Sequence, residues 1–341
     1  SSHSGSRETS AQPPNVCHQG PLGQEMQRSP PLLVRSDGCL AIWDWAPAGP
    51  LGATVVLVHA NGYHARCWDE VVRCLPGSYR CLCVDLPGHG HSPAPSGGSV
   101  SWHGMAQNLL ASLDSAGVPP SSIAVLAGHS MGGLVCAVAA ALSQTAFPGL
   151  LLVDPVIFTR ERYHSPDSMA RGETMRQNAA RRKASFASPA EMLERFRERF
   201  PYSTWQPACV RDYCEHALGE AGEGPGAERP LRCTPSFEGA CYAHGNSPET
   251  DPSAELARLA ERRQRATLLR APPPGPGSRS FEGSVTDPAL VARLGAGAQD
   301  VVLEGVNHFI PMVRPEVVAR HIELLVAPAA DAVMASPSPR L

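Results

Sequence analysis

The chain has 341 residues, 43% of them hydrophobic, with 29 Lys and Arg against 32 Asp and Glu and a formal net charge of −3. That length fits one large domain or a core domain carrying an insertion. The balanced charge excludes a global basic field for nucleic acid or an anionic membrane, and the apolar runs are too short and interrupted for stable insertion into a bilayer. Eleven cysteines, odd in number and without a C-x-x-C pair, point to a reducing compartment, with the cytoplasm as the expected location.

Residues 1–30 are polar, lack the apolar stretch of a signal peptide and are expected to be disordered. Leu32-Leu33-Val34-Arg35 and the run from Leu40 to Trp45 read as two strands around Ser36-Asp37-Gly38. The continuous run 53–58 has the character of a strand buried on both faces. It leads into His59-Ala60-Asn61-Gly62 and a helix expected over 66–75. A strand at 81–84 places Cys81 and Cys83 in alternation, which suits packing rather than bridging, and ends in Asp85-Leu86-Pro87-Gly88-His89-Gly90-His91-Ser92. Trp102, Met105, Leu109, Leu110 and Leu113 then recur at helical spacing.

A strand expected over 123–127 and an alanine-rich helix over 131–142 enclose Gly128-His129-Ser130-Met131-Gly132. Glycine two positions either side of the serine suits a tight strand-to-helix turn with no room for side chains. Such a turn lifts the serine hydroxyl above the sheet and aims the first helical amides at whatever binds there. A further strand at 150–153 closes on Asp154-Pro155. From 157 to 259 the alternation stops and charged amphipathic helices take over. It resumes with a strand at 266–269, a proline-rich loop from Arg270 to Glu282, a short helix at 288–294, a strand at 300–303 and Gly305-Val306-Asn307-His308-Phe309. Pro315 suits the first turn of a final helix over 316–325, and a tail at 327–341 is expected to be disordered. The ending Pro339-Arg340-Leu341 is a small-basic-leucine pattern that offers a peroxisomal address as the alternative location.

Strands alternating with helices imply an α/β fold with a mostly parallel sheet covered on both faces. The four loop signatures, at 59–62, 85–92, 128–132 and 305–309, resemble in their order those of the α/β-hydrolase fold family, over about 32–326. The resemblance implies an eight-stranded sheet built from 31–156 and 260–326, with 157–259 inserted as a helical cap. Arg181-Arg182-Lys183-Ala184-Ser185-Phe186, Trp205-Gln206-Pro207 and Cys233-Thr234-Pro235-Ser236-Phe237 within that cap look like a branch of capped hydrolases whose substrates are mostly unassigned.

A serine hydroxyl becomes a nucleophile when a neutral, oriented imidazole takes its proton and an acid holds that imidazole. Ser130 is the candidate nucleophile, and His308, in a loop directly after a late strand, the candidate base. His59 reads as a loop-holding residue, His89 and His91 as parts of a glycine turn, and His129 as a spacer. The family commonly places its acid in a short turn after the seventh strand, where this chain has prolines instead. Asp154 and Glu282 both keep the order serine, acid, histidine. Asp154 ends a strand, as in members that place the acid after the sixth strand, and is favoured over Glu282 in its loop.

The resemblance also implies an oxyanion hole formed by the N–H of Met131 and by Asn61, whose side chain could add to its backbone amide. Ala60 replaces the glycine usual in that loop. The missing proline after His59-Ala60 and the serine nucleophile speak against an epoxide hydrolase or a dehalogenase. No spacing argues for a metal site, and no cofactor is implied. Arg176, Arg181, Arg182 and Lys183 read as a solvated helix face, and Phe196, Phe200 and Trp205 as core of the cap. The expected activity is hydrolysis of a small-molecule carboxylic ester through an acyl-enzyme. Carbon–carbon bond hydrolysis and acyl transfer share the same triad, and a ligand-binding receptor with little turnover is the reading from another class.

Overall fold

Every residue from Ala53 to Val58 is buried, as a β-branched run must be when helices cover both faces of its sheet. The computed structural model describes residues 28–34, 38–224 and 226–327. Apart from 28–30 and 327, the ends expected to be disordered lie outside the described residues, as do Pro339-Arg340-Leu341 and the Ser36-Asp37 part of the expected turn.

In chain order the elements are β1 Leu32–Val34, β2 Ile42–Trp45, β3 Ala53–Val58, α1 Asp69–Cys74, β4 Tyr79–Val84, α2 Trp102–Ser115, β5 Val125–His129, α3 Met131–Leu142 and β6 Gly149–Val153. There follow α4 Arg160–Tyr163, α5 Pro166–Ala180, β7 Ser185–Phe186, α6 Pro189–Phe196, α7 Pro207–His216, β8 Arg229–Pro230, α8 Pro235–Gly245 and α9 Ser253–Glu261. The chain closes with β9 Ala266–Arg270, α10 Leu290–Leu294, β10 Ala298–Val302, α11 Ile310–Val313 and α12 Pro315–Val326.

Eight strands form one sheet in the order β1-β2-β4-β3-β5-β6-β9-β10. β1 and β2 join antiparallel and all the others pair parallel. The period of two along a strand sorts the core into two layers. Val56, Val58, Leu82 and Val84 face α2 and α3, through Met105, Leu109, Leu134 and Val138. Val55, Leu57, Cys81 and Cys83 face α1 and α12, through Val71, Val72, Val318 and Ile322. Cys81 and Cys83 therefore serve packing, and none of the ten described cysteines is in a disulfide.

Several boundaries differ from the sequence expectation, two of them for a visible reason. β5 covers Val125–His129 rather than 123–127, because Gly128 and His129 continue the ladder opposite Leu152 and Val153 of β6. The expected helix over 66–75 is a 3-10 turn, Ala65–Trp68, followed by α1. The carboxylate of Asp85 takes the Ala65 N–H at 2.7 Å and fixes where that turn begins.

Between β6 and β9 the chain builds a third apolar cluster from Phe186, Met192, Tyr202, Trp205, Val210 and Tyr213. Trp205 is buried in it and Phe196 packs against it, whereas Phe200 is half-buried and does not belong to it. The basic run 181–183 is not simply a solvated face. Arg182 forms an ion pair with buried Glu238 and lies 3.4 and 3.5 Å from the hydroxyls of Tyr202 and Tyr213, and Lys183 pairs with Glu191 and Glu228. The two-residue pairing of β7 with β8 was not anticipated, since two residues carry no periodicity. The boundary expected at 259 falls inside α9, whose Leu256 and Leu259 are buried in the same layer as α3.

Candidate active site

Ser130 stands between β5 and α3 with φ 57° and ψ −117°, a backbone conformation that side-chain-bearing residues rarely adopt. Close approach on both sides holds it there. A Cβ at Gly128 would lie 2.2 Å from the carbonyl oxygen of Gly132, and one at Gly132 would lie 2.4 and 2.5 Å from those of Val58 and His59. The two glycines let helix, turn and neighbouring strand meet backbone to backbone. Met131 is the first residue of α3, where helical N–H groups have no intrahelical partner.

His308 lies between β10 and α11, and its Nε2 is 2.9 Å from the Ser130 hydroxyl. Its Nδ1 is 3.1 Å from Oδ2 of Asp154, at the end of β6. Serine, histidine and aspartate are all buried, with Asp154 wholly so. The other carboxylate oxygen of Asp154 accepts from the Ser284 hydroxyl and, at 2.9 Å, from the Thr286 hydroxyl. Hydrogen bonds to the charged form of a buried carboxylate offset its loss of water. Glu282, the other candidate acid, instead accepts from the Arg279 N–H at 2.9 Å in the exposed part of the loop.

Several supports could not be read from the sequence. Phe281 stacks on the His308 ring with centroids 5.1 Å apart, and its carbonyl accepts from the His308 N–H at 3.2 Å. His129 is more than a spacer, since its Nε2–H donates to the His308 carbonyl at 2.9 Å. Burial, then the adjacent His308, holds the His129 pKa well below the ordinary value. The faint sequence signal for Ser284 and Thr286 is a pair of hydroxyls two residues apart, which no local pattern ties to Asp154, some 130 positions earlier.

Asn61 faces the same space from the loop after β3, but its side-chain amide is committed, donating to the Glu238 carbonyl at 3.0 Å. Its backbone N–H is what that loop leaves for a ligand. Two neutral histidines brace the loop. Nδ1–H of His59 donates to the Ala60 carbonyl at 2.7 Å while Nε2 accepts from the Leu86 N–H at 2.9 Å. Nδ1–H of His89 donates to the Pro87 carbonyl while Nε2 accepts from the Gly62 N–H, both at 3.0 Å. Burial pushes the His59 pKa well down and that of His89 to about 4, so both keep the neutral form this pattern needs.

Ser130, Met131, Asn61 and His308 open into a cavity of about 390 Å³, roofed by Phe158, Met175 and Tyr242 from the segment between β6 and β9. Among the described residues, no cluster of three or more His, Cys, Asp or Glu side chains is placed to hold a metal ion. Among them, no helix is long and apolar enough to cross a membrane.

The model of the family described as "Alpha/beta hydrolase family" matches residues 55–321. The chain belongs to the alpha/beta hydrolase family. Within this hydrolase family it is 31% identical over 130 residues to monoglyceride lipase of Homo sapiens, covering 37% of this chain and 43% of that one. It is 28% identical over 155 residues to an esterase of Mycobacterium tuberculosis, covering 46% of this chain and 49% of the other. Each match spans less than half of the curated relative. Among solved alpha/beta hydrolases, the peroxisomal one of Saccharomyces cerevisiae aligns with a TM-score of 0.64 at 17% identity, covering 92% of this chain and 90% of that chain. The solved M. tuberculosis esterase aligns with a TM-score of 0.61 at 19% identity, covering 89% and 92%. At such identity the likeness concerns the fold.

Proposed function

We propose that this protein is a serine hydrolase that cleaves carboxylic esters through an acyl-enzyme on Ser130. The observation that carries the proposal is the unbroken line from Asp154 through His308 to Ser130, at 3.1 and 2.9 Å, ending in a cavity. In this reading Ser130 Oγ attacks the ester carbonyl carbon while its proton passes to His308 Nε2. Asp154 orients the ring and stabilises the imidazolium. The carbonyl oxygen, now negative, is met by the N–H groups of Met131 and Asn61. Collapse expels the alcohol, which takes the proton from His308, and a water activated by the same ring then releases the acid and restores Ser130. The segment 157–259 would act as a cap that limits substrate size and excludes bulk water. The lipase and esterase relatives support ester hydrolysis, and ten described cysteines outside any disulfide support a cytoplasmic setting.

The test is fluorophosphonate labelling beside hydrolysis of p-nitrophenyl esters, in wild type and Ser130→Ala. Wild type is expected to label and turn over, and the variant to do neither while keeping its circular dichroism and melting temperature. Turnover near wild type in Ser130→Ala would overturn the mechanism. Labelling without turnover of any ester would move the reading to a receptor or to another acyl bond.

A further inference from the structure

The cavity above Ser130 has an unusual charge. Arg162, Arg171, Arg270 and Arg279 all line it, and no Asp or Glu does. Two of the four are neutralised from behind. Arg270 makes a bidentate pair with Asp300, with contacts of 2.7 and 2.8 Å, and Arg279 lies 3.7 Å from Glu282. Arg162 and Arg171, from α4 and α5, have no carboxylate within ion-pair distance among the described residues. The Arg162 guanidinium is half-buried and sits 3.5 Å from the centroid of the Phe158 ring, an arrangement that fixes its plane while leaving its N–H donors free. Burial and then the charge of Arg171 lower the Arg162 pKa, which sets the two cations against each other in one electrostatic neighbourhood. Trp102 also lines the cavity; it is buried, and its indole N–H has no hydrogen-bond partner.

Uncompensated like charges at a partly dry wall are costly unless an anion answers them. A fatty monoester would leave both guanidinium groups unpaired, that of Arg162 half-buried and that of Arg171 at the exposed edge. We propose that the substrate carries an anionic group, a carboxylate or a phosphate, at the end remote from the scissile ester, and that Arg162 and Arg171 receive it. Guanidinium groups suit either anion because their donors match two oxygens at once. This deepens the hydrolase reading and rests on it. It names the substrate class as acidic esters, and it assigns α4 and α5 the role of selecting charge as well as size.

The test uses p-nitrophenyl esters of one six-carbon acyl chain that ends in a methyl, a carboxylate or a phosphonate. In wild type at low salt, kcat/KM for one of the charged esters is expected to exceed that for the neutral ester about tenfold, with the favoured anion naming the source. The ratio of charged to neutral kcat/KM should fall toward one in Arg162→Gln and Arg171→Gln, and in wild type as salt is raised. A wild-type ratio near one, or a ratio that persists in the double variant, overturns the proposal. Calorimetric binding of adipate and of 6-phosphonohexanoate needs no catalysis and separates the two readings. If wild type binds one of them and the double variant does not, the anion site stands even where no ester turns over, and the failure then belongs to the hydrolase reading. Binding that is absent in wild type, or equal in both proteins, counts against the anion site.

Discussion

At Asp154 the choice between two carboxylates is made by distance. Its Oδ2 is 3.1 Å from His308, and its other oxygen is held by two buried hydroxyls, whereas Glu282 turns away to Arg279. Asp154→Asn is expected to lower kcat by roughly 10³–10⁴-fold, because an amide in place of the carboxylate accepts the imidazole N–H poorly and favours the wrong tautomer. Glu282→Gln should stay within about twofold of wild type, since it alters only an exposed contact. Steady-state kinetics on any accepted ester checks both. A large loss in Glu282→Gln with little in Asp154→Asn would reverse the assignment. Asp154 was legible as a candidate because it ends a strand. Ser284 and Thr286 were not, because hydroxyls on a proline-rich loop carry no mark of the carboxylate they meet.

The turn between β5 and α3 depends on backbone atoms meeting at distances a Cβ cannot enter. Gly132→Ala would put a methyl group 2.4 Å from the Val58 carbonyl oxygen, so either β3 or the first turn of α3 must move. A loss of roughly 3 kcal/mol in stability is expected, as for other overpacked sites, together with loss of activity as Met131 and Ser130 shift. Urea denaturation and fluorophosphonate labelling check the two effects separately, and a variant with wild-type midpoint and labelling would contradict the packing argument. Elsewhere, local pattern located the elements well and their ends less well. β5 ends two residues late because pairing with β6 draws Gly128 and His129 into the ladder, which no single segment can announce.

Across the molecule, buried neutral histidines tie stability to pH. His89 is held near 4 and His64 near 3, both chiefly by burial. His64 also links the core to α7, donating from Nε2 to the Tyr213 carbonyl at 3.0 Å. The folded values lie below the unfolded value of about 6.5, so the unfolded chain takes up protons first as pH falls. Their contribution is complete well above pH 6.5 and declines below it, by roughly 2.5 kcal/mol for each ring at pH 4.5. Asp69, raised to about 6 by burial despite its Arg66 pair, binds its proton earlier when folded and offsets part of that loss. The urea midpoint should therefore fall between pH 7 and pH 4.5. A midpoint that is flat or rising over that range would show that these rings do not stay neutral in the folded state.

Sequence by itself determined the alternation of strands and helices, the strained serine turn and the order of the site loops. Each of these is encoded within a few neighbouring residues, through apolar period, glycine spacing or a proline. Tertiary structure alone decided which acid meets His308, that His129 and Phe281 pack on that ring, that half-buried Arg182 pairs with Glu238, and that Arg162 and Arg171 line one cavity with Ser130. Those facts depend on contacts between segments far apart in the chain. The energy of a buried charge or an unpaired donor is set by what the fold brings beside it, not by its neighbours in sequence.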